Sequence, residues 1–164
     1  MKTIWLLDVD GVINANKPGW SAAPHRANAY CNGISWPLRW APALLDNIRA
    51  VRASGLVEIV WCTTWCSDTD QLERLWRLPA LDRAWTHEVT GEEAEPLKRA
   101  AAQQVIADGH RLIWTDDVVT PSEGDLYDEL TADGRALLIT PSWRRGLQPD
   151  HLQDIALFAE EGQL

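Results

Sequence analysis

Short apolar segments recur along the chain and predict the strands of a sheet. They lie at residues 3–7, 57–62, 112–115 and 136–140. Segments of four to six residues that stay mostly apolar, without alternating with polar positions, are typical of strands buried on both faces. The pattern therefore predicts a parallel sheet with helices packed on its two sides.

Helical spacing of apolar residues fills the stretches between these segments. Leu44, Leu45, Ile48 and Val51 share one face of a helix predicted over residues 42–53, which Gly55 ends. Capping residues and prolines predict three further helices, from Ser67 or Asp68 to Pro79, from Pro96 to Ala107, and from Pro149 onward. This alternation of strands and helices indicates an open α/β sheet with right-handed crossovers.

The segment at about residues 14–40 does not follow this alternation. Its apolar residues follow neither the spacing of a helix nor that of a strand, and it is long for an ordinary connection. We therefore predict an irregular flap with a functional role. The whole of residues 1–164 is expected to form one domain that carries this flap and no large cap domain.

Composition narrows the class of protein. An apolar fraction of 46% excludes disorder, and no apolar run approaches the ~20 residues that span a bilayer. We therefore expect a soluble, cytoplasmic protein, in which Cys31, Cys62 and Cys66 are reduced thiols without the histidine or second cysteine pair of a zinc site. The net charge of −9 argues against a broad nucleic-acid-binding surface but allows a local basic patch.

Two aspartates follow the first predicted strand. Asp8 and Asp10 are separated by one residue, so in extended backbone both would point the same way, and Gly11 would let the chain turn sharply out of the strand. One carboxylate could then act as a nucleophile while the other carries a proton. Alternatively, the two aspartates could simply cap a turn. A calcium-binding loop is not indicated, because the residues that follow do not supply the further oxygen ligands that Ca²⁺ needs.

A second acidic pair, Asp116 and Asp117, follows the third predicted strand. A carboxylate there together with Asp8 would give Mg²⁺ two of the hard oxygen ligands it prefers. In isolation such a doublet is more typical of a turn or a helix cap.

Thr63, Thr64 and Lys98 complete the set of candidate residues. Hydroxyl and backbone N–H groups at Thr63 and Thr64, after the second strand, can bind phosphate oxygens, although strand-end threonines are common. Lys98 is predicted in the first turn of a helix, where its charge opposes the helix dipole, and this indicates a use such as neutralising a phosphoryl group. The carboxyl ends of the strands should bring these residues to one edge of the sheet.

The order of these motifs resembles the haloacid dehalogenase (HAD) superfamily. The resemblance lies in an apolar strand followed by Asp8-x-Asp10-Gly11, a second strand ending in Thr63, then Lys98, and a third strand followed by Asp116-Asp117. Residues 8–14, 60–65, 113–117 and 146–152 also resemble the small HAD domains associated with bacterial RNA-repair proteins.

This resemblance implies a Rossmann-like fold, a cofactor and a set of residue roles. Asp8 would be the nucleophile that forms an aspartyl-phosphate, and Asp10 the general acid and base. Mg²⁺ would be held by Asp8, the main-chain carbonyl of Asp10, and Asp116. Thr63 and Lys98 would bind the phosphoryl group, helped by Thr64, while Asp117 orients its neighbours.

The expected substrate is a phosphorylated compound, with a nucleotide or an RNA end as the candidate. Tryptophans of the flap, such as Trp20 and Trp36, would either stack on a base or pack the flap onto the sheet. Two other functions remain open: a phosphotransferase whose acceptor is not water, and a non-catalytic module that binds magnesium and phosphate.

Overall fold

The computed structural model describes residues 1–163 and confirms the predicted α/β architecture. Its strands are β1 (Thr3–Leu7), β2 (His25–Cys31), β3 (Ile34–Trp40), β4 (Val57–Trp61), β5 (Asp82–Arg83), β6 (Arg111–Thr115) and β7 (Ala136–Ile139). Its helices are α1 (Pro42–Ala53), α2 (Thr69–Trp76), α3 (Gly91–Ala107), α4 (Asp125–Thr131) and α5 (Pro149–Glu161).

Five of the strands form one parallel sheet in the order β5–β4–β1–β6–β7. All five residues of β1 are buried, as expected for the central strand of a sheet covered on both faces. The chain builds outward from β1 through β4 to β5 and then crosses back to β6 and β7. The direction of winding therefore changes at β1, which is where open α/β sheets place their binding sites.

The register of the sheet brings three strand ends level. Leu7 lies opposite Trp61 of β4 on one side and opposite Thr115 of β6 on the other. The residues that follow these three strands therefore meet at one edge of the sheet. Strand pairing alone thus accounts for the proximity of the loops that begin at Asp8, Cys62 and Asp116.

The predictions for α1 and α5 are confirmed, and their proline residues occupy the first helical position. The prediction for α3 is wrong at its beginning: the helix starts at Gly91, five residues before Pro96. Thr90 caps it, because the N–H of Thr90 donates to the Glu93 carboxylate at 2.8 Å. Lys98 is consequently the eighth residue of α3, where the end of the helix dipole has little effect.

The end of α2 also differs from the prediction. The helix stops at Trp76 and not at Pro79, because Arg77 adopts a left-handed conformation with φ 53°. The short strand β5 and the helix α4 were not predicted. β5 has only two residues and α4 has seven, so their apolar patterns are too brief to reveal a period.

The segment predicted as an irregular flap contains a regular β-hairpin. β2 and β3 pair antiparallel from His25 opposite Trp40 to Cys31 opposite Ile34. Asn32 and Gly33 form the connection with φ values of 52° and 74°, the conformation of a type I′ turn. The Asn-Gly dipeptide was the sequence signal for this hairpin.

Most of the ten tryptophans belong to the hydrophobic core. Seven are buried, namely Trp5, Trp40, Trp61, Trp65, Trp76, Trp85 and Trp114. Trp20 is half-buried and donates its indole N–H to the carbonyl of Leu147 at 2.9 Å. Trp36 and Trp143 differ from the rest, because 48% and 60% of their surfaces are exposed.

None of the helices in residues 1–163 combines the length and the apolar character that crossing a membrane requires. The thiols of Cys31, Cys62 and Cys66 are all buried.

Candidate active site

A buried lysine links two aspartates at the carboxyl edge of the sheet. The Nζ atom of Lys98 lies 2.7 Å from Oδ2 of Asp8 and 2.6 Å from Oδ2 of Asp116. All three residues are nearly inaccessible to solvent. We call Asp8, Lys98 and Asp116 the floor of the site.

Strand pairing and one helix build the floor. Asp8 directly follows β1 and donates its backbone N–H to the carbonyl of Thr115 at 3.3 Å, so it lies beside the first residue after β6, Asp116. Helix α3 packs against β6 and carries Lys98. A buried lysine requires a counter-charge, and the two carboxylates supply it.

The two carboxylates of the floor have different hydrogen-bond partners. Asp116 accepts backbone N–H groups from Val118 at 2.8 Å and from Val119 at 2.7 Å, whereas Asp8 accepts one from Val9 at 2.7 Å. Both also accept the Lys98 ammonium. Asp116 is therefore held as an anion by more donors than Asp8.

The pKa values follow this difference. Burial raises the pKa of Asp8 to about 8, and the charge of Lys98 only partly offsets it. Burial acts in the same direction on Asp116, but Lys98 and the two backbone donors outweigh it and hold the pKa of Asp116 below its usual range. Although burial disfavours the ammonium, the two carboxylates raise the pKa of Lys98 above its usual range.

Asp117 adds a third carboxylate beside the floor. Carboxylate oxygens of Asp8, Asp116 and Asp117 all lie within 4.8 Å of one another. Asp117 is half-buried, and burial followed by the neighbouring charge of Asp116 raises its pKa. Three hard oxygen donors so close together suit Mg²⁺, and a divalent cation would relieve the repulsion among them. The donor set therefore fits the Mg²⁺ that the sequence resemblance implies.

The chain turns away from the sheet at Val9. Its carbonyl accepts the N–H groups of Val12, Ile13 and Asn14, so the backbone does not stay extended from Asp8 to Asp10. The predicted extended backbone from Asp8 to Asp10 is therefore not found, while a shared substrate for the two carboxylates stays a prediction. Asp8 belongs to the buried floor, whereas Asp10 is exposed above it.

Gly11 occupies the position that the turn requires. Its φ is 72°, and a Cβ atom there would lie 2.2 Å from Cγ of Asp117. A side chain at this position would thus combine backbone strain with a collision against a candidate metal ligand. Gly11 and Asp117, which were both predicted to support the site, therefore lie directly against each other.

Asp10 lies at what we call the rim, formed by Asp10 and the β2–β3 hairpin. Its carboxylate accepts the side-chain amide of Asn14 at 2.8 Å and the indole N–H of Trp65 at 2.9 Å. Asn14 in turn accepts the backbone N–H of Arg39 at 2.9 Å, which ties the hairpin to Asp10. These roles of Asn14 and Trp65 were not predicted, because Trp65 is 55 residues from its partner.

Thr63 and Thr64 follow β4 on the other side of β1 from Asp116. Thr63 is fully buried, and its hydroxyl oxygen accepts the backbone N–H of Trp65 at 3.3 Å. Thr64 is half-buried, and its carbonyl accepts the Cys31 thiol at 3.5 Å. The structure thus brings Asp8, Lys98, Asp116 and Asp117 together, while both threonines occupy the neighbouring loop.

Two cavities border Asp10. One has a volume of about 680 Å³ and is lined by polar and apolar residues alike, among them Arg26, Arg39, Asp117 and Trp143. The other has a volume of about 430 Å³ and is lined mainly by apolar groups, among them Trp36, Ile34 and Trp65. Asp10, Asn14 and Pro37 border both cavities. We call the first the cationic cavity and the second the apolar cavity.

The comparison with family models matches residues 4–152 to the HAD domain in Swiss Army Knife RNA repair proteins. The matched range runs from β1 into α5, and it includes the floor, the rim and both threonines. No curated protein matches the chain.

Proposed function

The chain belongs to the family of HAD domains in Swiss Army Knife RNA repair proteins, and we propose that it is a magnesium-dependent phosphatase that acts through Asp8. Membership indicates a phosphohydrolase or a related function in general. One observation carries the finer proposal: a buried ammonium joins the candidate nucleophile Asp8 to the candidate metal ligand Asp116. A buried site with this balance of charges suits a reaction that transfers a phosphoryl dianion.

The proposed reaction has two steps. A carboxylate oxygen of Asp8 attacks phosphorus and forms a P–O bond as the bond from phosphorus to the leaving oxygen breaks. Asp10 gives that oxygen a proton. Asp10 then takes a proton from water, whose oxygen attacks the phosphorus of the aspartyl-phosphate and releases inorganic phosphate and the Asp8 carboxylate.

Hydrogen bonds at the rim support the role of Asp10. Asn14 and Trp65 each donate to one of its oxygens, and this fixes the plane of an otherwise exposed carboxylate. Each oxygen keeps a lone pair with which it can exchange a proton with a leaving group or with water.

Asp8, Asp116 and the main-chain carbonyl of Asp10 would hold Mg²⁺, with Asp117 as a further candidate ligand. When bound, this ion supplies positive charge that offsets the phosphoryl oxygens. Lys98 uses two of its three N–H groups on the floor, so the third is left for a phosphoryl oxygen. Thr63 and Thr64 would add a hydroxyl and backbone donors from the neighbouring loop.

The proposed substrate is a phosphorylated nucleotide or an RNA end. Its support is the family description, which concerns RNA repair, and the two cavities beside Asp10, which offer room for a leaving group of nucleotide size. The phosphotransferase and the non-catalytic module remain alternatives. Added acceptor alcohols would separate the first from a phosphatase, and any turnover would exclude the second.

Hydrolysis of a generic aryl phosphate tests the proposal. We expect turnover in the presence of Mg²⁺, loss of turnover in excess chelator and recovery when Mg²⁺ is restored. Ca²⁺ should support little turnover, because its longer and more variable ligand distances would misplace Asp8. Full activity in excess chelator would contradict the magnesium assignment.

A further inference from the structure

Two guanidinium groups and the carboxylates of Asp10 and Asp117 line the cationic cavity. The net charge of the chain is −9, yet Arg26 and Arg39 both line this cavity beside Asp10. Within residues 1–163 neither arginine forms an ion pair, which is also true of seven other lysines and arginines, while six are paired. Arg26 is exposed and Arg39 is half-buried. What distinguishes Arg26 and Arg39 is their position beside the candidate site, where two guanidinium groups that form no ion pair within residues 1–163 can bind an anion.

An exposed aromatic ring completes this cavity. Trp143 lines it with 60% of its surface exposed, and the guanidinium carbon of Arg144 lies 5.5 Å from the centre of its ring. Aromatic rings beside cationic side chains bind single-stranded nucleic acid, because bases stack on the ring while phosphates pair with the cations. Seven of the other nine tryptophans are buried, so an exposed ring here is not explained by core packing.

The apolar cavity beside Asp10 differs in charge. Asp10 is the only charged residue that lines it, and Trp36 and Ile34 are exposed at its wall. A leaving group held at Asp10 would therefore be near both an apolar surface and two guanidinium groups. A nucleotide in a strand has this character, since its base is apolar on both faces and its next phosphodiester is anionic.

We infer that the cationic cavity is a subsite for a second phosphate of a single-stranded polynucleotide, with Arg26 and Arg39 binding the phosphodiester next to the terminal phosphate. The base that follows would stack on Trp143. This inference rests on the proposed function, because it places the terminal phosphate at Asp8. The inference predicts that Arg26 and Arg39 make the protein prefer a nucleotide strand over a mononucleotide.

Arg26 is the better of the two for a substitution. No hydrogen bond of its side chain is found within residues 1–163, whereas Arg39 donates to the carbonyl and the side chain of Asn16 at 3.1 and 3.0 Å. Arg26→Gln therefore removes the charge with little effect on the loops, and Arg39→Gln serves as the second variant. Arg52→Gln is the matched control, because Arg52 is also exposed and without an ion pair but lines a cavity at the opposite edge of the sheet.

The experiment compares kcat/KM for a nucleoside monophosphate and for the dinucleotide that adds one phosphodiester, with the terminal phosphate at either the 3′ or the 5′ end. We expect the dinucleotide to be preferred by about 10- to 100-fold, the gain of one charge-assisted hydrogen-bonded contact. Arg26→Gln and Arg39→Gln should each reduce this ratio, while Arg52→Gln should keep it. A ratio near one in the unaltered protein, or the same ratio in all three variants, would overturn the inference.

A binding measurement separates the inference from the proposed function. A labelled single-stranded oligoribonucleotide with a terminal phosphate is titrated with the full chain, and fluorescence anisotropy is followed at two salt concentrations. Binding that weakens in Arg26→Gln and Arg39→Gln supports the subsite even if neither substrate is hydrolysed, in which case only the phosphatase proposal fails. Equal binding by both variants and the unaltered protein would overturn the subsite, as would a preference for a singly phosphorylated peptide over the oligonucleotide.

Discussion

The floor and the rim of the site are built by different means. The floor consists of residues that directly follow strands of the central sheet together with one lysine of α3, and all of them are buried. The rim consists of an exposed aspartate held by side chains and a separate two-stranded hairpin. Changes in the floor should therefore affect both stability and turnover, whereas changes in the exposed parts of the rim should affect the choice of substrate.

The largest effect on stability is expected for Lys98→Met. The substitution leaves Asp8 and Asp116 buried without their common cation, and loss of one partner from a buried ion pair typically costs about 3–5 kcal/mol. Urea unfolding in the absence of metal measures this loss. Lys2→Met is the control, because the pair between Lys2 and Glu58 is exposed, and its unfolding midpoint should stay the same. Equal midpoints for the two variants would show that the floor is not a stabilising unit.

A smaller loss of stability is expected for Gly11→Ala, together with a severe loss of turnover. The backbone strain of the positive φ and the contact with Asp117 should cost roughly 1–3 kcal/mol. Gly33→Ala is the matched control, since its φ is 74° but an added Cβ meets nothing within 4 Å. Phosphatase assays on both variants should show activity lost only in Gly11→Ala. Similar activity in both would mean that the position of Asp117 does not matter for turnover.

Stability and substrate choice should respond differently to substitution of the two tryptophans of the predicted flap. Trp36→Ala should change the unfolding free energy by only about 0.5 kcal/mol but raise KM for a nucleotide, since one stacked base contributes about 1–3 kcal/mol. Trp20→Ala should instead lower the unfolding free energy and leave KM for a nucleotide unchanged, because Trp20 packs against the core and donates to Leu147. Melting curves and substrate profiles of both variants decide the question. An unaltered profile for Trp36→Ala would exclude stacking there.

The same comparison explains how much of the molecule could be predicted from its sequence. The floor follows from local patterns, because an apolar strand fixes where its carboxyl end lies and parallel pairing brings neighbouring ends together. Asp8 and Asp116 could be named on that basis, whereas Lys98 was named from a predicted position in the first turn of a helix that it does not occupy. The missed start of α3 was also readable, since Thr90 and Glu93 have the spacing of a capping box.

The rim depends on contacts between distant parts of the chain. The hydrogen bond from Trp65 to Asp10 leaves no pattern in either local sequence, and neither does the placement of Arg26 beside Asp10. The hairpin itself had a local signal in Asn32-Gly33, but the strands around it carry exposed apolar residues, which blur the alternation that identifies a strand. Exposed Trp36 and Ile34 line the apolar cavity beside Asp10, so the residues that form this cavity also hide the strand pattern.

Rapid-quench labelling with an activated aryl phosphate tests the assignment of Asp8 most directly. The unaltered protein should form a transient phosphoenzyme, and Asp8→Asn should form none, because an amide is a poor nucleophile. Asp10→Asn loses proton transfer, a contribution of roughly 10²–10⁴-fold, but keeps Asp8, so it should still form phosphoenzyme from this good leaving group and release it slowly. Label trapped on Asp8→Asn, or equal loss of phosphoenzyme in both variants, would contradict the account.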